Sequence, residues 1–200
     1  MSKQNRLPEY LTKIEERLRT YSTQPIILST YYTVLAIDPG TTNLSYSLQH
    51  PNADTTRKIK APDLPVALQV AYLYEALLSV IHDCRYSFNV ELIVKEDTAR
   101  SQVFRASDMG RVAQMIDSLG LQLNIPVVTI NPATLRSFLG SKSKSDTKLV
   151  VYKRWGREFS SEDEADAYAL GQAGVARVRG QLLLGREKKA AKRKAKREAA

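Results

Sequence analysis

A single cysteine, Cys84, stands in 200 residues, so no disulfide can form within the chain and no zinc site can rest mainly on thiolates. A reducing, intracellular setting is the simplest expectation. No apolar run approaches the ~20 residues that a membrane-spanning helix needs. The opening MSKQNRLPEY lacks the apolar centre of a secretory signal, and Glu15 and Glu16 count against an organellar transit peptide. No internal repeat is present, which leaves one domain with extensions as the expected organisation. Acid is also in short supply: 21 Asp and Glu face 30 Lys and Arg, a formal charge of +9. That excess favours a polyanionic partner such as nucleic acid. Eight of the basic residues crowd into positions 186–197 with only Glu187 among them, so the C-terminal end is a basic tail.

What is there suits a single core, since 43% of the residues are hydrophobic. Residues 1–30 combine a short polar helix with a Ser/Thr connector and are expected to form an N-terminal extension. Residues 31–180 are expected to be the main domain, and 181–200 the tail. YYTVLAID reads as a strand stopped at Pro39-Gly40, LSYSLQ as a second strand returning beside it, and residues 56–60 as a third. Val66, Val70, Leu73, Leu77, Val80 and Ile81 recur at helical spacing, which predicts a long amphipathic helix over 66–82. ELIVKE then gives a strand, 107–123 a helix, and PVVTI a strand closed by Asn131-Pro132. Helices follow at 133–139, 147–155 and 162–178. Strands first, then strands alternating with helices, make the class α/β around one central mixed sheet.

Scarce as they are, the acids include four at the ends of segments that should converge. Strand parity places Asp38 on the face of Val34 and Ala36, and Glu96 on the face of Leu92 and Val94, with Lys95 and Asp97 opposite. Strand-end acids also serve simply to end strands in solvent. In EDEADAYALGQAG, Asp163, Asp166, Ala167, Leu170, Ala173 and Gly174 fall within one helical arc, and Glu164 faces away. Small residues on that arc let the helix approach a sheet closely. An acidic first turn also complements the helix dipole, but two acids on a packed face are costly without a cation. Carboxylates gathered at one point imply a divalent metal site.

The ordered set IDPGTTNLSYSL, IVKED, TLRSFLGSKSKSDTK and EDEADAYALG resembles the RuvC-type Holliday junction resolvases of the ribonuclease H-like superfamily, over roughly residues 34–176. The resemblance implies a ribonuclease H-like fold with a five-stranded sheet flanked by helices. It implies that Asp38, Glu96, Asp163 and Asp166 hold two Mg2+ or Mn2+ ions, ~3.5–4 Å apart, for in-line hydrolysis of a DNA phosphodiester. It also implies a homodimer that makes paired nicks in a four-way junction. Arg136, Lys142, Lys144 and Lys148 then become DNA contacts, with Lys148 preferred over Lys144 as the active-site lysine. Arg100 and Phe104 fall where the family reaches into the junction centre, although Phe104 serves equally as core. The helix around Gly110, Ala113 and Met115 corresponds to the dimer-forming helix, and its residues pack internally just as well.

Three other readings stand beside this one. IDPGTTN also resembles the first phosphate loop of actin-like and sugar-kinase ATPases, but those need two lobes and a second phosphate motif that this chain lacks. A ribosomal-RNA-processing nuclease of the YqgF type or a flap nuclease shares the fold, and a catalytically silent DNA-binding module would keep the basic groups alone. The tail can be tested by itself. If it binds phosphates, deleting residues 186–200 is expected to make the slope of log affinity against log salt shallower by ~0.9 for each phosphate no longer neutralised. An unchanged slope would assign the tail another task.

Overall fold

The apolar, β-branched run from Thr33 forms β1 (Thr33–Asp38), the central strand of a five-stranded sheet. The computed structural model describes residues 26–85, 89–97, 103–141 and 143–180, without the side chains of 84–85 and 103–107. β2 (Asn43–His50) and β3 (Ala53–Lys60) continue from β1 as an antiparallel meander. β4 (Val90–Glu96) and β5 (Val127–Ile130) lie parallel on the other side, giving the order β3-β2-β1-β4-β5. The mixed five-stranded sheet expected from the sequence is therefore present. The helices are α1 (Val66–Arg85), α2 (Val103–Leu123), α3 (Pro132–Leu139), α4 (Thr147–Trp155) and α5 (Glu162–Val178).

Parity sorts the central strands into two core layers. Leu35, Ile37 and Ile93 pack with Leu73, Leu77 and Ile81 of α1 and Val112, Ile116 and Leu119 of α2. Val34, Ala36, Leu92 and Val94 pack instead with α3, α4 and α5 through Leu135, Val151, Leu170 and Ala173. Because helices cover both faces, β1 and β4 read as nearly continuous apolar runs. A register shift after Thr33, which pairs with Val90 while Val34 pairs with Leu92, moves Val90 into the first layer.

The small residues of α5 do let it approach the sheet. A Cβ placed on Gly174 would lie 2.2 Å from Cγ2 of Val94, and one on Gly171 would lie 2.4 Å from the Gln49 amide. The buried arc is wider than the sequence indicates, taking in Ala165, Tyr168, Ala169, Val175 and Ala176. The reason is that α4 covers the helix from a second side, with the Trp155 and Tyr168 rings edge to face at 5.9 Å. Gly174→Ala is expected to cost about 1–3 kcal/mol in denaturant unfolding, as overpacking does, and Val94→Ala to return part of that loss in the double variant. Independent, additive effects would mean that the two positions do not meet.

Several boundaries differ from the sequence reading. β3 begins at Ala53 because it pairs with β2 along its whole length, from His50↔Ala53 to Asn43↔Lys60. α2 begins at Val103, four residues early. α3 begins at Pro132, where Asn131 caps it by accepting from the Thr134 amide at 2.8 Å. Lys144–Asp146, read as loop, is a 3-10 turn capped by Ser143. At the N-terminal side, Ile26 and Leu28 pack against the second core layer, and the Ser29 amide donates to the Glu91 carboxylate at 2.8 Å. The end of the expected extension thus lies on the body.

Candidate functional site

The parallel ladder of β1 and β4 runs through Ala36↔Val94 and Ile37↔Lys95, so the next residues, Asp38 and Glu96, end neighbouring strands side by side. Both lie on the α5 face. Lys95 takes the opposite face, where it is buried and donates to the Asp117 carboxylate at 2.6 Å and to the Ala113 carbonyl at 3.0 Å. Burial pushes the Asp38 carboxyl up to about 8, with the Glu96 charge adding to it, and burial raises Glu96 as well. The two carboxyls act on each other across the strand ends, the arrangement in which neighbouring carboxyls come to share a proton.

The other two acids come from the first turns of α5. Ser161 caps this helix, and a capping box joins it to Glu164: the Glu164 amide donates to the Ser161 hydroxyl, and the Ser161 amide donates back to the Glu164 carboxylate. A hydrogen bond from the Ser160 hydroxyl leads the effects that lower the Glu164 carboxyl. Glu164 therefore starts the helix while its neighbours face the sheet. Asp163 is bound by two ammonium groups, Lys58 at 2.9 Å and Lys144 at 3.2 Å, and the Lys58 bond is the main reason its carboxyl is lowered. Asp166 is more deeply set, with 13% of its side chain exposed against 41% for Asp163, and it meets Lys144 at 3.2 Å.

The capped 3-10 turn carries Lys144 into the cluster. Burial alone would lower its ammonium, but the charges of Asp166 and Asp38 outweigh that effect and raise it. Lys148 goes elsewhere, donating to the Ser160 carbonyl at 3.3 Å. The structure thus places Lys144 among the acids where the sequence reading preferred Lys148. Arg136, exposed on α3, shares a cavity of ≈40 Å³ with Glu96, Lys144 and Asp166. Arg100 and Lys142 lie outside the described residues, and so does the side chain of Phe104.

A cleft of ≈580 Å³ opens over the site, lined by Asp38, Glu96, Asp163 and Lys144 together with Asn43, Ser45 and Asp108. Lys58 and Ser45 escaped the sequence reading. Their signal is the register Lys58↔Ser45↔Asp38, which sets three side chains in one row across β3, β2 and β1.

The donor set suits a hard divalent cation in kind, because all four acids offer carboxylate oxygens. The Lys144 ammonium lies among these acids, paired with Asp163 and Asp166 and set against the charge of Asp38. Among the described residues, however, no three His, Cys, Asp or Glu side chains lie close enough as arranged to hold a metal ion. No helix among them is long and apolar enough to cross a membrane.

No protein-family model matches the chain. No curated protein sequence matches it. Solved structures do. RuvC from Thermus thermophilus in complex with a Holliday junction substrate superposes with a TM-score of 0.63 at 20% identity, covering 76% of this chain and 98% of that one. A second structure of Thermus thermophilus RuvC gives 0.59 at 21% identity, covering 74% and 97%. The strand order, the helices on both faces and these superpositions agree, and the chain has the RuvC-type ribonuclease H-like fold.

Proposed function

We propose that the protein is a divalent-cation-dependent endonuclease that cuts four-way DNA junctions. The observation that carries this reading is the convergence of Asp38, Glu96, Asp163 and Asp166, from two strand ends and one helix, around the Lys144 ammonium on a RuvC-type fold. Structural repulsion of that kind is tolerated where a cation is part of the working state. The similar Thermus thermophilus protein was captured with a Holliday junction, which makes branched DNA the first substrate to test.

In this reading the four carboxylates hold the cations, Mg2+ with Mn2+ as a substitute. Bound there, two such ions supply an acidified water and neutralise charge at the leaving oxygen. The protein's own groups do the rest. The four carboxylates would hold those cations at the strand ends, and Lys144 transfers its charge from the acids to the phosphate as negative charge grows. Arg136, beside Glu96, holds an adjacent phosphate. Water adds to phosphorus and gives up a proton to solvent while the bond to the 3′ oxygen breaks and that oxygen takes up a proton, giving a 5′-phosphate and a 3′-hydroxyl. Two copies of the chain, paired through the α2 surface around Gly110 and Ala113, would place one site on each of two opposed strands of the junction.

The test is a panel of four-way, flap and linear DNA offered to the full chain with Mg2+. Paired symmetric nicks in the four-way junction are expected. Cutting confined to flap or linear DNA would replace the junction substrate, and no cutting of any of them would overturn the nuclease.

A further inference from the structure

Lys58 belongs to no part of the reaction described above, yet it makes the shortest ion pair in the cluster. Its ammonium sits 2.9 Å from one oxygen of Asp163, while Lys144 takes the other oxygen at 3.2 Å. Asp163 is therefore held from two sides, and Lys58 draws it toward the β3 edge of the sheet. Asp166, paired with Lys144, stays nearer the centre. Among the described residues, no three acids of this cluster stand within reach of one cation.

A second observation concerns where Asp163 would go on release. Ser45 lies between Lys58 and Asp38 in the register, on the same face, and lines the cleft. Its hydroxyl is buried, with 2% of the residue exposed, and has no hydrogen-bond partner among the described residues. An unpaired buried hydroxyl is costly, which points to a second arrangement that satisfies it. The register sets Ser45 between Lys58 and Asp38, so a carboxylate leaving Lys58 for Asp38 would meet this hydroxyl.

We infer that Lys58 is a clamp that keeps Asp163 out of the cation site until a DNA phosphate takes its place on the ammonium. The inference rests on the nuclease reading and adds an order of events to it. Lys58 is a compact point charge with 37% of its side chain exposed, so a phosphate arriving along the β3 edge can reach it. The exchange replaces one anion by another on Lys58, and it frees Asp163 to join Asp38, Glu96 and Asp166. Lys58 is thus a positioning residue whose effect is to couple cation binding to DNA binding.

Two measurements on the full chain test the clamp. In the first, Mn2+ alone is titrated calorimetrically into the wild type, Lys58→Met, Lys58→Arg and Arg57→Met. Arg57 neighbours Lys58 on β3 with the opposite parity, so its variant controls for net charge. Lys58→Met is expected to bind Mn2+ about three- to fivefold more tightly than both the wild type and Arg57→Met, the scale of one exposed ion pair removed. Lys58→Arg is expected to behave as wild type. In the second, binding to a four-way junction in EDTA is followed against salt, and Lys58→Met is expected to lower the slope by ~0.9, the share of one phosphate. Mn2+ affinity of Lys58→Met equal to that of Arg57→Met, or an unchanged salt slope, would overturn the clamp and leave the nuclease standing. Absence of Mn2+ binding by wild type and variants alike would remove both.

Discussion

Asp38→Asn is expected to lower junction cleavage by on the order of 10³-fold or more while making the cation-free protein more stable at pH 8. The two effects share one cause. Asp38 is partly buried next to Glu96, and its carboxyl is pushed from 3.8 up to about 8. The folded state therefore keeps a proton that the unfolded chain releases, and stability falls as pH rises through the window from about 4 to about 8. The slope for one such group is at most about 1.4 kcal/mol per pH unit. Asn has the same shape and no charge to desolvate, so in EDTA the variant should melt higher than wild type at pH 8 and lose much of that pH dependence. Mg2+ should raise the wild-type melting temperature and leave the variant nearly unmoved, by the linkage between cation binding and folding. Junction binding should persist or strengthen, because a negative charge facing phosphates is gone. A variant that melts lower in EDTA, or that still cuts, would make Asp38 a structural acid.

Lys144→Met is expected to carry the second largest effect, a loss of roughly 10²-fold in cleavage. Lys144 is the ammonium shared by Asp163 and Asp166, each at 3.2 Å, and it also opposes the charge on Asp38. Removing it leaves partly buried carboxylates without that counter-ion, which destabilises the cation-free protein. Mg2+ should then stabilise this variant more than wild type, because the ion no longer displaces an ammonium. Lys148→Met should stay within a few-fold of wild type, since Lys148 turns away from the acids to the Ser160 carbonyl. Single-turnover cleavage rates and melting in EDTA and Mg2+ check both variants. A larger loss from Lys148→Met would reassign the catalytic lysine.

The acids were legible because strand and helix periods are rigid rules. Asp38 and Glu96 follow from alternation along β1 and β4, and the opposite placement of Lys95 against Asp117 shows the same rule at work. Asp163 and Asp166 follow from helical phase, and Gly174 pressed against Val94 explains why that phase carries small residues. The lysines were not legible to the same degree. Choosing between Lys144 and Lys148 depends on a 3-10 turn whose cap joins Ser143 to Asp146, a local hydrogen-bond pattern with no periodic signal. Lys58 reaches the site through the register of two hairpins, and one residue of slip in either would turn it to the other face. The wider burial of α5 depends on α4 packing over it, a tertiary arrangement invisible in the helix's own sequence.

The most direct measurement is cleavage of a synthetic four-way junction by the full chain across a range of Mg2+ concentration, with EDTA as the zero point and the ends of the products identified. Cutting is expected only with the cation, leaving 5′-phosphate and 3′-hydroxyl ends. Cutting that persists in EDTA, or none at any Mg2+ concentration, would contradict a carboxylate-held cation centre at Asp38, Glu96, Asp163 and Asp166.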